Sequence, residues 1–143
     1  MAEHGNVGRI RKGLELRKET EPTPEESAFL WDLFAEDVTW HGSGDNPFAG
    51  DFRGKEAVFE AFGRVEAGGS FRRDVENVFA DDDYAVAVVH NVADRGDAHL
   101  DWHEVMVFRF DAEGRISEFR GIHEDQDAVD ELWATPATAS AVS

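Results

Sequence analysis

The sequence predicts an α+β domain in which three N-terminal helices pack on one face of a curved antiparallel sheet. Three segments in the first half place apolar residues at the spacing of an α-helix. Beyond residue 70 the apolar period falls to two, in four segments separated by turns rich in Asp and Gly. Helices followed by consecutive hairpins form two packed layers. The chain has 143 residues, which is the length of one domain.

The helices are predicted at residues 6–18, 24–35 and 55–66. Thr23, Pro24 and Glu26 supply the second helix with an N-cap, a proline in its first turn and a capping box. The third helix ends before Gly68-Gly69. A last short helix is predicted at residues 128–133. The domain therefore comprises residues 1–134, and the Ala/Thr/Ser-rich residues 135–143 are expected to be disordered.

A short first strand is predicted at residues 38–42, and the hairpin strands at residues 71–80, 84–93, 99–110 and 115–124. Residues 81–83, 94–97 and 111–114 have the composition of hairpin turns. Between the first strand and the third helix lies a glycine-rich segment that also contains Phe48 and Phe52. A loop that only had to be soluble would not need these rings, so we expect the segment to cover or line something.

Composition excludes several classes of function. With 31 acidic and 14 basic residues, the net charge of −17 would repel nucleic acid and anionic lipid. The absence of cysteine excludes disulfides, thiolate nucleophiles and cysteine metal sites. The sequence has neither an apolar run of roughly 18 residues nor a start with the apolar centre of a signal peptide. We expect a cytoplasmic protein that binds neither nucleic acid nor membrane.

Strand alternation predicts which side chains face the interior. In residues 99–110 the even positions are apolar except for Glu104, so this face points inward. In residues 84–93 the bulkier even positions are assigned inward, with His90 as the exception. In residues 115–124 the even positions include Arg120, although a bulge would reverse this ambiguous pattern. These three ionisable groups would share an interior lined by Trp40, Phe59, Phe62, Trp102, Met106 and Phe108.

Two interpretations of these groups follow from the cost of burying charge. In the first, Glu104 and Arg120 form a structural ion pair and His90 is a hydrogen-bonded core residue. In the second, the same groups line a pocket where Glu104 and His90 exchange protons with a ligand. The sequence leaves both interpretations open.

A row of possible metal ligands lies on the opposite face of the same strand. His99, Asp101 and His103 alternate there, but the two histidines are roughly 13 Å apart at about 3.3 Å per residue. Too few ligands converge for zinc, even with His123 added. The sequence also lacks a phosphate-binding glycine motif and a nucleophile elbow. We therefore predict neither a metal nor another cofactor.

Four segments carry a resemblance to a known family. They read LFAEDVTWHGSG, NPFAGDFRGKEAVFEAFGRV, ADDDYAVAVVHNVADRG and HEVMVFRFDAEGRISEFRGIHEDQDAVDELW. In this order they resemble SnoaL-like proteins of the nuclear transport factor 2-like superfamily, over about residues 6–133. The resemblance implies a cone-shaped α+β barrel whose pocket opens between helices and sheet, with the glycine-rich segment as its rim. It adds Phe48 and His123 to the ligand site, whose other predicted residues are Trp40, Phe59, Phe62, Trp102 and Met106.

The superfamily includes polyketide cyclases, ketosteroid isomerases, epoxide hydrolases, dehydratases and binding modules, so fold alone does not select an activity. Cyclases that resemble this chain are expected to carry an acid/base carboxylate on the last strand. Here the last strand carries Arg120, Gly121 and His123, and the preceding strand carries Glu104. The Asp-Arg-Asp arrangement of an epoxide hydrolase has no clear match, which disfavours that activity.

Two functions remain. The first is a cofactor-free enzyme acting on a hydrophobic carbonyl compound as an isomerase, aldol-type cyclase or dehydratase. Glu104 or His90 would be the base, and Arg120 or the Trp102 N–H would stabilise the enolate oxygen. The second is a non-catalytic small-molecule binding or dimerisation module. Because Val105, Val107 and Phe119 interrupt a polar sheet face, we also predict a homodimer through the sheet.

Overall fold

The computed structural model describes residues 3–16, 22–67 and 69–135. Four helices and six strands follow in the order α1 (Gly5–Leu16), α2 (Pro24–Asp32), β1 (Phe34–Gly42), β2 (Gly50–Arg53), α3 (Lys55–Glu66), β3 (Ser70–Ala80), β4 (Tyr84–Arg95), β5 (Ala98–Phe110), β6 (Ile116–His123) and α4 (Gln126–Ala134). The predicted α+β fold is confirmed. Residues 136–143 of the predicted disordered tail lie outside the described residues.

The helix starts follow from capping chemistry. Thr23 accepts a hydrogen bond from the Glu26 backbone N–H, and the Glu26 side chain accepts one from the Thr23 N–H, which completes the predicted capping box. Helix α3 has the predicted bounds, and Val58 and Phe62 on its buried face pack against the sheet. None of the described helices combines the length and the apolarity required to cross a bilayer.

The six strands form one open, curved sheet in the order β2-β1-β6-β5-β4-β3. Strands β3 to β6 form the predicted antiparallel meander. Strand β1 pairs with β6 in parallel, so the sheet is mixed and not wholly antiparallel as predicted. The last strand of the meander, β6, lies beside β1 and runs in the same direction.

Two elements near the first strand differ from the sequence prediction. The sequence predicts that α2 extends to residue 35, but strand β1 begins at Phe34. The strand begins there because the Leu33 carbonyl accepts a hydrogen bond from the Ile116 N–H at 2.9 Å. Strand β2 lies inside the segment predicted as loop and pairs Phe52 with Trp40. It has only four residues, too few for a recognisable alternation.

The core divides into two clusters of buried side chains. The larger lies between the sheet and helices α1 and α3 and includes Ile10, Val58, Val89 and Phe108. The smaller lies at the end of the sheet that α4 covers and includes Phe48, Trp102, Val129, Leu132 and Trp133. Trp40 packs against both clusters, and the space between them holds the cavity described next.

Candidate functional site

A partly open cavity of about 500 Å³ lies between the sheet, the segment that joins β1 to β2, and helix α4. Pockets of this size accommodate small organic ligands. Seven aromatic side chains line it: Trp40, Phe48, Phe62, Phe71, Trp102, Phe119 and Trp133. Trp40 stacks on Phe119 with ring centroids 5.8 Å apart, and Phe48 meets Trp133 edge-on at 5.2 Å. The wall is therefore rigid and mostly apolar.

One part of the wall is polar, and consecutive strands build it. Strand β3 contributes Arg73, β4 Asn91, β5 Glu104 and β6 His123. Arg73 pairs with Asn91, and Glu104 pairs with His123 in the sheet register, so the four side chains share the inward face. Asn91 is completely buried, and Glu104 is 5% exposed.

Glu104 is held by two hydrogen-bond donors. Arg73 Nη2 donates to Glu104 Oε1 at 2.9 Å, and Asn91 Nδ2 donates to the same oxygen at 2.8 Å. Arg73 Nε also donates to Asn91 Oδ1 at 2.9 Å, which closes the triangle and fixes the orientation of the amide. A buried carboxylate is tolerated because it is paired and hydrogen-bonded in this way. The guanidinium lies over the Phe71 ring at 5.2 Å.

His123 completes the polar wall beside Glu104. Trp102 Nε1 donates to His123 Nδ1 at 3.0 Å, and the same Nδ1 lies 3.9 Å from Glu104 Oε1. Burial is the main cause that lowers the pKa of His123 below its ordinary value, and Arg73 adds to this. The charges of Glu104 and Asp130 oppose it. The ring is therefore neutral at neutral pH.

Gly121 makes room for the carboxylate. A Cβ atom at this position would lie 1.8 Å from Glu104 Oε2, closer than any non-bonded contact allows. Gly121 lies opposite Met106 in the register of β5 and β6, two pairs away from Glu104 and His123 and therefore on the same face. The missing side chain is therefore what allows Glu104 to lie flat against β6.

The rim of the cavity is tied to α4 by polar contacts. Ser43 Oγ donates to Gln126 Oε1 at 2.7 Å, and Asn46 Nδ2 donates to Asp130 Oδ1 at 2.7 Å. Asn46 Oδ1 accepts from the Phe48 N–H at 2.8 Å, which turns the Phe48 ring toward Trp133. The predicted rim segment is thus a fixed wall that presents Phe48 to the cavity.

The structure brings most of the sequence-predicted site residues together. Glu104 and six of the predicted ligand-binding residues line the cavity: Trp40, Phe48, Phe62, Trp102, Met106 and His123. Phe59 does not line it. Its ring lies 4.9 Å from Trp31 and 5.3 Å from Phe34. Phe59 and Phe62 are in contact, with ring centroids 5.5 Å apart, but only Phe62 reaches the cavity.

His90 lies on the opposite face of the sheet, so its predicted inward position is wrong. Its Nε2 is hydrogen-bonded to the carboxylate of Asp101, and its ring stacks on the His103 ring with centroids 4.9 Å apart. The inward positions of β4 are odd: Ala85, Ala87, Val89, Asn91 and Ala93. Side-chain bulk is the wrong guide in this strand, because its buried face includes three alanines while Val86, Val88 and Val92 lie on the outer face.

Arg120 also lies on the outer face and is exposed, so the predicted Glu104–Arg120 ion pair does not form. The counter-charge of Glu104 is Arg73. In β6 the odd-numbered residues Phe119, Gly121 and His123 face inward. At the start of the strand, however, the buried residue is the even-numbered Ile116. The register shift opposite Arg109 and Phe110 accounts for this change, and it is the bulge that would reverse the assignment.

Sequence reasoning missed Arg73 and Asn91. Alternation does not assign the faces of residues 71–80, because a bulge between Val75 and Asn77 changes their parity midway. Asn91 was placed on the outer face of β4. The signal that could have found both is the need of a buried Glu104 for a cation and an amide on the neighbouring strands.

Comparisons with known proteins agree with this architecture. The sequence profile of the SnoaL-like domain matches residues 26–119. The structure of Bal32a, from a soil-derived mobile gene cassette, is similar with 33% sequence identity and a TM-score of 0.77, and the match covers 90% of this chain and 95% of that chain. No curated protein matches the sequence.

Two more distant solved structures contain small molecules. TerC co-crystallized with polyporic acid has 15% identity and a TM-score of 0.70, with 91% of this chain and 98% of that chain covered. RV0760c from Mycobacterium tuberculosis, in complex with estradiol-17β-hemisuccinate, has 20% identity and a TM-score of 0.60, with 85% and 95% covered. At these identities the similarity shows the fold alone.

Proposed function

This chain belongs to the SnoaL-like domain family, and from that membership and the cavity we propose that it is a cofactor-free enzyme acting by acid/base chemistry on a hydrophobic carbonyl compound. One observation carries the proposal. A carboxylate and a neutral imidazole, Glu104 and His123, lie side by side at the polar wall of an otherwise aromatic cavity of about 500 Å³. Acid/base chemistry needs such paired groups with different proton affinities.

Glu104 is the proposed base. Arg73 and Asn91 hold its Oε1, so the carboxylate is oriented before a ligand arrives. It would take a proton from the carbon beside a carbonyl group, and the C–H electron pair would move into an enolate. An isomerase returns the proton to another carbon, whereas an aldol-type cyclase joins the enolate carbon to a second carbonyl carbon.

The hydrophobic character of the substrate follows from the wall. Rings of Trp40, Phe62 and Phe119 offer flat apolar surface, and burying apolar area contributes about 25 cal/mol per Å². The similar structures that contain polyporic acid and estradiol-17β-hemisuccinate support the view that this fold accommodates small organic molecules.

A second function is favoured by a specific contact. The carboxylate of Glu104 is already paired with Arg73, as a purely structural ion pair would be. In that case the cavity would belong to a non-catalytic module that binds a hydrophobic small molecule. The two functions differ in whether a bound ketone exchanges its protons.

The test is solvent deuterium incorporation into 2-tetralone, a hydrophobic ketone with acidic protons beside its carbonyl. We expect the wild-type protein to accelerate the exchange, and Glu104→Gln to lower the rate by roughly 10² to 10⁴-fold. Glutamine still offers an acceptor to Arg73 and Asn91, so the variant should remain folded and bind the ketone. Glu60→Gln, on the exposed face of α3, is the matched control and should retain the wild-type rate.

A non-catalytic binding module would give the opposite result in the exchange experiment. The wild-type protein would bind 2-tetralone without accelerating exchange, and Glu104→Gln would leave the exchange rate unchanged.

A further inference from the structure

We infer that Trp102 fixes the tautomer of His123, so that the cavity presents a ligand with an uncharged imidazole Nε2–H and selects an oxygen that accepts a hydrogen bond. The inference rests on the proposed function only where it identifies this oxygen as the carbonyl oxygen of the substrate. Its physical basis is the chemistry of two side chains, Trp102 on β5 and His123 on β6.

The tautomer follows from the direction of one hydrogen bond. The indole Nε1–H can only donate, and it points at His123 Nδ1 from 3.0 Å. Nδ1 must therefore carry a lone pair, and a neutral imidazole then holds its hydrogen on Nε2. Protonation of Nδ1 would set two N–H groups against each other, so the indole also disfavours the imidazolium.

The surroundings keep the ring neutral. His123 lies within a wall whose other charged groups are Glu104, Arg73 and Asp130, and burial outweighs the attraction of the two carboxylates. Its side chain is 16% exposed, and within the described part of the chain no group is hydrogen-bonded to Nε2. Nε2–H is therefore the donor that a ligand in the cavity can use.

This arrangement changes the role expected for Trp102. The indole N–H is not available to an enolate oxygen, since His123 occupies it, and Trp102 acts through His123 as a positioning residue. An uncharged N–H donor suits an oxygen that gains negative charge during the reaction, because the donor is already oriented and costs no reorganisation. A ligand without an acceptor atom would leave this N–H unpaired.

The test begins with the ligand-free protein, labelled with ¹⁵N and observed through two-bond proton–nitrogen couplings. In the wild type we expect His123 Nδ1 to show the signal of an unprotonated nitrogen and Nε2 that of a protonated one. Trp102→Phe should lose this pattern and populate the Nδ1–H form, because Glu104 Oε1 is the nearest acceptor. Trp31→Phe is the control, since Trp31 contacts Phe59 and Lys55 outside the cavity.

A protonated Nδ1 in the wild type would overturn the inference, and so would an unchanged pattern in a folded Trp102→Phe protein. If that variant does not fold, the wild-type spectrum alone decides. Adding 2-tetralone should shift Nε2, whereas tetralin, which lacks the oxygen, should bind at least tenfold more weakly. Ketone exchange with an Nδ1–H tautomer would overturn this inference and leave the proposed function standing. An Nε2–H tautomer without ketone binding would overturn the proposed function and leave the assignment of the tautomer standing.

Discussion

Gly121 is the residue at which the account of Glu104 can be tested without touching a charged group. An added Cβ would collide with Glu104 Oε2, so Gly121→Ala should displace the carboxylate from Arg73 and Asn91. We expect a loss of roughly 1–3 kcal/mol in the free energy of unfolding, as for other overpacked sites, and loss of ketone exchange.

Gly63→Ala is the matched control for this substitution. A Cβ at Gly63 meets no atom within 4 Å, and alanine stabilises a helix interior such as that of α3 by about 0.5–1 kcal/mol relative to glycine. Denaturant titrations of both variants give the comparison. If Gly121→Ala were as stable and as active as Gly63→Ala, the carboxylate would not depend on the glycine.

His41 predicts a pH dependence of stability. Hydrogen bonds to Glu118 and Asp51, in that order, raise the pKa of His41, while burial and Arg120 oppose the rise. A raised pKa in the folded state means that the stabilisation is complete below the unfolded value of about 6.5 and is lost as pH rises through the folded value. The pairs are partly exposed, so the effect should be roughly 0.2–1 kcal/mol.

The measurement is urea unfolding of the wild type and His41→Gln from about pH 6 upward. The stability difference between the two proteins should shrink with increasing pH, and Glu118→Gln should reduce that dependence because it removes the principal partner. A difference that grew with pH would show that His41 is neutral in the folded protein near pH 6.

At the scale of elements, α3 is the helix on which the aromatic core depends. Phe62 is 9% exposed and lies 5.6 Å from Trp40 and 5.8 Å from Phe119, measured between ring centroids. Phe62→Ala should lower the free energy of unfolding by about 3–5 kcal/mol, the usual cost of deleting a buried ring. Glu60→Ala, two residues earlier on the exposed face, should cost far less. A loss under about 1 kcal/mol at Phe62 would place that face in solvent.

The elements were predictable where a local signal defined them. The capping box predicts the start of α2, the two glycines predict the end of α3, and the Asp/Gly turns separate the four meander strands. Strand β2 and the early start of β1 depend on pairing between distant segments, which no local pattern records. The faces of β4 are predicted wrongly for a related reason. Ala85 and Ala87 face the core, where α1 packs on the sheet, and only the tertiary structure shows that α1 lies there.

The candidate site was predictable in part. Glu104 stands out as the sole carboxylate in an apolar row, and Trp40, Phe48 and His123 came from the resemblance. Arg73 and Asn91 were missed because a bulge in β3 and a misassigned face in β4 hid their convergence. A buried carboxylate predicts that it has partners, but their identity requires the register of four strands.

At the scale of the whole molecule, we propose that the predicted homodimer forms through the outer face of the sheet. Val86, Val88, Val105 and Val107 are only half-buried there, and Ile122 is 57% exposed. Phe119, which was assigned to this face, lies in the core instead. Apolar residues in the middle of a polar face are typical of an isologous interface.

Val107→Arg should convert the dimer into a monomer, because two charges would meet near the two-fold axis without partners. Light scattering at micromolar concentration gives the mass, with Glu60→Arg as a charge-reversal control away from the sheet. A wild-type protein that is already monomeric would rule out the interface.

The most direct test of the account is whether a hydrophobic ketone enters the aromatic cavity. Three of the four tryptophans, Trp40, Trp102 and Trp133, line the cavity, whereas Trp31 packs outside it against Phe59. Titration of the ¹⁵N-labelled protein with 2-tetralone, followed through the four indole N–H signals, should shift the first three and leave Trp31 in place. Four unshifted signals, or a shift confined to Trp31, would contradict the claim that this cavity is the functional site.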